Sequence, residues 1–464
     1  MKNPRYLIPI IVKFGYGFLY CTFQFTLWSF FRRLYLYNAK GVPKDKPVLL
    51  ACNHPNSFMD GCLFGEGQSQ SIHFIARGDA MNTPLKKWFF GQFHAIPIFR
   101  IQEGAENLHR NKQTFQECQE LFEKNGKIII FSEGICVQEK RVRKLKKGTA
   151  RMYFEVESNF DFNLGIQIIP VGFNYTFFNK PGAEVMINVG KPIQMERYIE
   201  LYKENKAQAI NTFNADLQDK LKELVISIDK KEDETLAENL LTMARNDFQE
   251  PPFPWNSDRN DRFLLEKNTC DTLNSISENE RDTYQKLSQS VHQYFTHLKD
   301  HRLSDLDIAK DRRYGWGKGL LFLLGWPLHM LGYLLNILPV WLGKKLADKA
   351  VTNSVFYLSV RAVATYFLYL LFYVPLWLVL FAWMGGAWYF GLTALAVMAL
   401  TGYFALYYRR LWKDSIYRWR YLNIKRKNPN IVASLKKQRE KIFQIINGYK
   451  HKAKKADIPQ TTNQ

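Results

Sequence analysis

The sequence has few cysteines and no close cysteine pair. Its six thiols are Cys21, Cys52, Cys62, Cys118, Cys136 and Cys270. Their spacing excludes a disulfide framework and the common zinc-binding patterns, and it is typical of reduced thiols on the cytoplasmic side of a membrane. A cleavable signal peptide is not expected either, because Lys13 interrupts the first apolar run and no small-residue cleavage site follows.

Acidic residues are scarce, above all towards the end of the chain. The 464 residues contain 64 Lys and Arg against 43 Asp and Glu, which gives a formal net charge of +21. Residues 409–464 alone hold sixteen basic and three acidic side chains. Because this tail follows a long apolar stretch, its charge favours anionic lipid headgroups over nucleic acid. We expect membrane lipids, and no nucleic acid, among the partners.

Charge is missing altogether from two long segments. Residues 362–408 are 47 consecutive positions without Asp, Glu, Lys or Arg. Their length predicts two membrane spans, 362–384 and 386–408, joined by a glycine turn. Residues 319–343 are also uncharged, but lysines flank both ends, so the positive-inside tendency favours a re-entrant or in-plane helix pair there.

The rest of the sequence can be divided into further segments. Short apolar runs alternate with amphipathic segments in the first half, which is the pattern of an α/β domain. The candidate strands are 48–52, 72–76, 127–132, 166–173 and 184–189, and residues 103–124 and 147–156 have helical spacing. We predict a membrane-associated helix in 1–38, the α/β domain in 39–195, a soluble helical region in 196–312, a membrane region in 313–408 and a basic cytoplasmic tail in 409–464.

A histidine and a carboxylate follow the first apolar strand of that domain. The segment Asn53-His54-Pro55-Asn56-Ser57-Phe58-Met59-Asp60 leaves five residues between His54 and Asp60. On one ideal helix the two side chains would face different directions. They can meet only if His54 lies in the loop before a helix that carries Asp60. Such a pair can take a proton from an alcohol. By itself, the spacing favours a surface loop histidine and an unpaired helix carboxylate.

Three later blocks add charged groups at the ends of apolar runs. Arg100 ends the run from 95 to 99, and a strand ending in Phe131-Ser132 is followed by Glu133 and Gly134. A basic cluster over 140–147 includes Arg141, Arg143 and Lys146. The last block is an apolar strand that contains Pro170. Arginine at such a position suits a phosphate group. No third ligand accompanies His54 and Asp60 nearby, so no metal site is predicted.

Together the four blocks resemble those of the glycerolipid acyltransferase superfamily. That family combines Asn-His and a downstream Asp, an Arg-ending block, Phe-Pro-Glu-Gly, and an apolar strand with proline, in this order. The resemblance covers about residues 40–195. Two features depart from the usual pattern. Five residues, not four, separate His54 from Asp60, and the third block has Ser132 for proline and Ile135-Cys136 where Thr-Arg is common.

The resemblance implies a mixed sheet covered by helices and an enzyme that moves a fatty acyl group from a thioester to a glycerol phosphate hydroxyl. His54 and Asp60 would be catalytic, and no cofactor is implied beyond acyl-CoA or an acyl carrier protein as the donor. The residues implied to bind substrate are Asn53, Arg100, Glu133, Gly134, Arg141, Arg143, Lys146 and Pro170.

The wider spacing and the 270 or so residues after the fourth block look more like the fungal-type glycerol-3-phosphate and dihydroxyacetone-phosphate acyltransferases. These acceptors are therefore predicted first, and lysophosphatidate or another lysophospholipid second. Backbone N–H groups near residues 53–57 are candidate oxyanion donors. A covalent route through Cys52, Cys136 or Ser132 lacks a paired base. A silent lipid-binding scaffold and a transporter are the other classes considered, and too few spans are present for a transporter.

Overall fold

The computed structural model describes residues 23–24, 26–65, 71–99, 111–249, 256–311, 316–383 and 388–456. Most of the predicted N-terminal helix, Arg100, the proline-rich turn at 250–255 and the glycine turn at 385–386 lie outside these residues. The described chain divides into two compact units. The first contains the described residues up to 226 together with 256–260 and 345–366, and the second contains the remainder.

The first unit is built on one mixed eight-stranded sheet with the order β4-β3-β5-β2-β6-β7-β1-β8. Strands β2 to β6 are parallel where they pair, β7 is antiparallel to β6, and β1 and β8 follow β7. The strands are β1 Phe31–Tyr37, β2 Val48–Cys52, β3 Ile72–Arg77, β4 Ala95–Ile98, β5 Lys127–Phe131, β6 Gln167–Tyr175, β7 Ala183–Val189 and β8 Asn256–Ser257.

The central strands explain why the sheet forms. All five residues of β2 are buried, and β2 pairs in parallel with β5 on one side and β6 on the other. Near-continuous apolar runs of this kind are typical of parallel strands with both faces covered. In the register, Cys52 lies level with Phe131 and Val171, so β2 and β5 end at the same edge while β6 continues to Tyr175.

The sheet extends beyond the predicted strands at both sides. Phe31–Tyr37, which the sequence analysis assigns to the N-terminal helical segment, forms β1 and pairs with β7. The pair Arg32-Arg33 resembles the charged end of a membrane helix, but Arg32 contacts Glu184 of β7 at 3.5 Å between Nη1 and Oε1. Strands β4 and β8 are four and two residues long, too short to show a period.

Helices cover the sheet, and two of them lie beyond the predicted domain boundary at 195. The buried faces of α5 and α6 contribute Tyr198, Phe213 and Leu217 to the same core as the sheet. The first unit therefore reaches residue 226 because these amphipathic helices complete its core. The helices of the unit are α1 Phe58–Gly65, α2 Pro84–Gln92, α3 Asn111–Phe122, α4 Gly148–Ser158, α5 Glu196–Glu204 and α6 Lys206–Leu224.

The described part of the second unit is helical apart from its connecting segments. Buried charge joins two of its helices: Glu266 accepts from Arg245 at 2.7 Å and from Arg262 at 2.7 Å. Burial works against ionisation, but the two guanidinium groups hold the pKa of Glu266 at about 2. The helices wholly within this unit are α7 Glu234–Asp247, α8 Asp261–Asn279, α9 Arg281–Asp300, α10 Asp305–Lys310, α13 Trp388–Lys427 and α14 Pro429–Ala456.

Two long apolar helices precede α13. They are α11 Trp316–Ala350 and α12 Tyr357–Trp383. Within the described residues, two helical segments are long and apolar enough to cross a membrane, Gly319–Ala350 and Ser354–Trp383. The predicted span 362–384 overlaps α12 closely. The predicted span 386–408 overlaps α13 from Trp388 onwards, and residues 386–387 lie outside the described residues.

The region 319–343 differs from the predicted re-entrant pair. It belongs to one continuous helix, α11, which includes Pro327 and Pro339. Proline is tolerated inside apolar helices where neighbouring helices supply hydrogen-bond partners. Tyr373 of α12 makes such a contact: its hydroxyl donates at 3.2 Å to the carbonyl of Leu335, which Pro339 leaves without a helical donor. The helix continues through both prolines.

Gly172 of β6 offers a test of this packing. A Cβ at this position would lie 2.2 Å from the carbonyl oxygen of Leu224, the last residue of α6. We expect Gly172→Ala to push β6 and α6 apart, and overpacking of this kind destabilises by about 1–3 kcal/mol. Thermal unfolding of the purified chain measures the effect. The matched control is Gly91→Ala, where no atom lies within 4 Å of the added Cβ. Equal melting temperatures for the two variants would contradict the packing.

Candidate active site

The loop from β2 to α1 forms the candidate site, and Asn53 fixes its start. The Asn53 side chain bonds the backbone of Phe173 on β6 twice: Nδ2 donates to the carbonyl at 3.0 Å, and Oδ1 accepts from the N–H at 2.7 Å. Ser57, the last residue before α1, has a positive φ of 51°. This left-handed residue turns the chain back towards β2. Asn53 is 3% exposed, so its side chain supports the loop.

The turn brings His54 and Asp60 together, in the loop-and-helix geometry that their spacing requires. His54 Nδ1 lies 2.9 Å from Asp60 Oδ2. The Asp60 side chain is fully buried, and it accepts two further hydrogen bonds. The Asn56 backbone N–H donates to Oδ2 at 2.9 Å, and the Tyr175 hydroxyl donates to Oδ1 at 2.6 Å. Three donors thus stabilise a carboxylate that would otherwise be costly to bury.

The His54 ring is partly exposed and held flat against an aromatic ring. Its side chain is 18% exposed, and the ring stacks on Phe131 with centroids 3.7 Å apart and an interplanar angle of 19°. Because Nδ1 faces Asp60, Nε2 is the atom that can take a proton from a bound hydroxyl. The arrangement of base and orienting carboxylate is that of a general-base pair.

The end of β5 lies beside this loop. Ser132 donates its backbone N–H to the Cys52 carbonyl at 2.8 Å, and its Oγ lies 2.9 Å from Thr149 Oγ1. Gly134 has a φ of 67°, and a Cβ there would meet Lys146 Cγ at 2.9 Å. Glycine is therefore required for the turn after Glu133. Ser132 is 2% exposed and bonded on both sides, which makes it part of the scaffold.

Glu133 and the basic cluster form the polar side of the site. Glu133 is 3% exposed, and its burial raises its pKa to about 7, although the Arg143 backbone N–H donates to Oε1 at 3.4 Å. The guanidinium groups of Arg141 and Arg143 pair with a different acid, Glu139. Arg141 Nε and Arg143 Nη2 each lie 2.8 Å from a carboxylate oxygen of Glu139. Glu139 therefore orients both arginines.

The remaining predicted substrate-binding residues differ in position. Lys146 is exposed, and its backbone N–H donates to the Ser132 carbonyl at 2.8 Å. Pro170 is buried in β6, level with Ala51 of β2, and its carbonyl accepts from the Gly190 N–H at 2.9 Å. Its side chain is thus a packing element of the sheet below the site. Arg100 lies outside the described residues.

The thiols near His54 are poorly suited to nucleophilic attack. Burial raises the pKa of Cys52 and that of Cys136 far above the ordinary value, and the charge of Asp60 raises both further. Cys136 instead has a structural contact, because its Sγ accepts from the Ser57 N–H at 3.0 Å. This bond and the bond from Asn56 to Asp60 occupy two of the backbone N–H groups predicted as oxyanion donors.

A metal-binding group is not seen in the described parts of the chain. No cluster of three or more His, Cys, Asp or Glu side chains is arranged to hold a metal ion there.

Comparison with known proteins supports this reading of the loop. Residues 33–174 match the family model described as Acyltransferase. This part of the chain is therefore similar to acyltransferase domains. The match supports the resemblance to the glycerolipid acyltransferase superfamily and includes every residue of the His54 and Glu133 loops. No curated protein matches the sequence.

One solved structure is similar to part of the chain. It is the 1-acyl-sn-glycerophosphate (LPA) acyltransferase PlsC from Thermotoga maritima, with a TM-score of 0.31 and 18% sequence identity. The similarity covers 45% of this chain and 85% of that one.

Four residues of the site are absent from the sequence prediction. Tyr175 and Asn56 bind Asp60, Cys136 holds the Ser57 backbone, and Glu139 orients the arginines. Asn56 and Cys136 stand inside motif blocks, so their positions were visible although their contacts were not. Tyr175 is 115 residues from Asp60 and is brought to it only by the extra length of β6.

Tyr175→Phe tests whether the hydroxyl positions the catalytic pair. The variant keeps the ring but removes one hydrogen bond to a charged group, a loss of about 1.5–3 kcal/mol. We expect kcat/KM for acyl transfer to fall about tenfold or more, since 1.4 kcal/mol corresponds to a factor of ten.

The control for this variant is Tyr198→Phe. Tyr198 lies in the same unit, and its hydroxyl donates to Asp216 at 2.6 Å, outside the candidate site. It should lose some stability but keep the wild-type kcat/KM. An unchanged kcat/KM in Tyr175→Phe would show that the hydroxyl only supports the fold.

Glu133 predicts a pH dependence of stability. Its pKa is raised by burial to about 7 in the folded chain, so the folded state binds a proton that the unfolded state releases above its ordinary value of 4.5. This contribution to stability is complete at low pH and is lost as the pH rises through about 7. Glu133→Gln cannot ionise and should gain melting temperature relative to wild type between about pH 5 and about pH 8.

The comparison variant is Glu120→Gln on the exposed face of α3. Its difference from wild type should stay constant over the same pH range. If Glu133→Gln behaves in the same way, the buried carboxyl does not titrate near neutral pH.

Proposed function

We propose that this protein transfers a fatty acyl group from an acyl thioester to a hydroxyl of glycerol-3-phosphate or dihydroxyacetone phosphate in phospholipid synthesis. The observation that carries the proposal is the buried Asp60 at 2.9 Å from His54 within an acyltransferase-family domain. The choice of acceptor rests on the five-residue spacing and on the length of chain after the domain. The donor is acyl-CoA or an acyl carrier protein.

His54 acts as the general base in this scheme. Its Nε2 takes the proton of the acceptor hydroxyl while the oxygen attacks the thioester carbonyl. Asp60 stabilises the imidazolium that forms and keeps the ring oriented. When the tetrahedral intermediate collapses, the carbon–sulfur bond breaks and the same proton goes to the thiolate. The products are an ester and a free thiol, and no acyl-enzyme is formed.

The acceptor phosphate binds at the basic cluster after β5. Arg141 and Arg143 are partly exposed, with side chains 28% and 39% accessible, and Glu139 fixes their direction. Lys140 adds charge on the same side, where its Nζ donates to the Thr176 carbonyl at 3.2 Å. Oriented arginines bind phosphate through two parallel hydrogen bonds. Their role replaces that of the arginine which the third motif block lacks at Cys136, and Arg100 supplements it.

The enzyme works at a membrane in this proposal. The segments Gly319–Ala350 and Ser354–Trp383 have the length and composition of membrane spans. The basic tail binds anionic headgroups, and this charge supports a cytoplasmic location for the tail and the acyltransferase domain. A water-soluble acceptor then meets a donor whose acyl chain partitions into the bilayer.

The decisive experiment offers three acceptors in parallel to the purified full chain in detergent. These are glycerol-3-phosphate, dihydroxyacetone phosphate and lysophosphatidate, each with a labelled acyl-CoA and a labelled acyl carrier protein. We expect the first two to be acylated. Preference for lysophosphatidate would overturn the choice of acceptor, whereas no product from any acceptor would favour the lipid-binding scaffold.

The same assay tests the catalytic pair. General acid–base catalysis contributes about 10²–10⁴-fold, so His54→Ala and Asp60→Asn should lose activity by factors in that range. His292→Ala is the control, because His292 is an exposed histidine of α9. Near-wild-type rates in either site variant would exclude the proposed mechanism.

A further inference from the structure

Aromatic rings join the catalytic loop to two neighbouring elements of the first unit. Phe58 opens α1, two residues before Asp60, and its ring lies 4.9 Å from that of Phe93, the residue after α2. Phe23 packs edge-on against both, at 6.2 and 5.7 Å between centroids. It also packs against Tyr366 of α12 at 5.6 Å. These four residues are called the Phe23 cluster below.

The Phe23 cluster reaches the beginning of an apolar helix. Tyr366 lies five residues after Arg361, the last charged residue before the uncharged run of α12. A charged residue followed by such a run marks the boundary between headgroups and acyl chains when a helix crosses a membrane. The cluster therefore links the catalytic loop and the end of α2 to the level at which α12 would enter the bilayer.

The outer face of α2 has the composition of a membrane-interface helix. Trp88 is 58% exposed, and Lys86 and Lys87 beside it are exposed as well. The sequence of the helix contains no acidic residue, and the acid that precedes it, Asp79, is paired with Arg77. A single exposed tryptophan is ordinary on a protein surface. Tryptophan beside a pair of lysines, in a chain that also has candidate spans, is a combination found at bilayer interfaces.

We propose that the Lys86–Trp88 face of α2 docks on an anionic phospholipid bilayer. Trp88 enters the boundary between headgroups and acyl chains, and the two lysines bind lipid phosphates. The positive charge of the face selects this partner over an apolar protein groove. Because α2 is linked to Phe58 through Phe93, docking holds the His54 loop at the membrane surface. This inference rests on the membrane location proposed above but not on the identity of the acceptor.

The test uses the full chain in lipid nanodiscs and does not depend on activity. Trp88→Cys carries an environment-sensitive fluorophore, and lipids brominated on the acyl chain act as the quencher. Gln113→Cys on the exposed face of α3 is the matched water-facing control. Leu378→Cys, 51% exposed on α12, is the membrane control. Labelled wild-type chain supplies the background from the native thiols.

We expect brominated lipid to remove about half of the emission at position 88, because interfacial side chains sit ~5–10 Å into the headgroup boundary. Position 378 should be quenched more and position 113 hardly at all. Quenching at 378 but not at 88 would overturn the proposal and leave the membrane location intact. Absence of quenching at both would overturn both.

The same label at position 88 tests whether the two lysines contribute to docking and whether lipid covers this face. Lys86→Glu with Lys87→Glu should reduce quenching at position 88 in discs that contain phosphatidylglycerol, and should change it little in discs of phosphatidylcholine alone. A label that is shielded equally in detergent without lipid would show that protein covers this face, and would overturn the proposal.

Discussion

The buried carboxylate of Asp60 is the constraint on which the first unit depends. An unpaired charge at this depth would cost several kcal/mol, so its oxygens must be satisfied from within the fold. Its three donors come from different places: the ring of His54, the backbone of the loop at Asn56, and the hydroxyl of Tyr175 on β6. Satisfying them fixes α1 and the loop against the end of the sheet, which is also what orients the histidine.

The departures in the third motif block have structural partners of their own. Ser132, which stands where proline is usual, contacts Thr149 at the start of α4. Cys136, which stands where arginine is common, supports the Ser57 backbone. Positive charge is instead supplied further along the chain by Arg141 and Arg143, and Glu139 pairs with both. Cys136 therefore joins the β2 and β5 loops, whereas Ser132 joins the end of β5 to α4.

Most strands of the sheet can be predicted from the sequence, because strands buried on both faces must be continuously apolar. The predicted strands at 48–52, 72–76, 127–132, 166–173 and 184–189 correspond to β2, β3, β5, β6 and β7 within a few residues. Strand β1 was not predicted, because its arginine pair resembles the charged end of a membrane helix. Strands β4 and β8 are too short to show a period, and they form by pairing with β3 and β1. The domain also extends past residue 195. This boundary was mispredicted because the pattern of an amphipathic helix shows that one face is buried but not which core that face packs against.

The residues of the site also differ in how well the sequence predicts them. His54 and Asp60 lie close in sequence, and their spacing alone required a loop followed by a helix. Tyr175 belongs to the site only through the register of β6 with β2, which places a strand residue beyond the end of its neighbours. Pro170, by contrast, marks the right strand but is buried in the sheet below the loop. Local motifs therefore show which segments meet, and strand register decides which side chains reach the reacting groups.

The two units are interleaved along the chain, and this limits how the protein can be divided or recombined. The first unit is assembled from three separate stretches, since residues 256–260 and 345–366 return to it after long excursions. Strand β8, in the second stretch, pairs with β1 at the far edge of the sheet. A gene fragment that ends after α6 would thus encode a sheet in which β1 lacks its partner β8, and it would lack Tyr366, one of the aromatic partners of Phe23. Any exchange of this catalytic unit between proteins must carry all three stretches together.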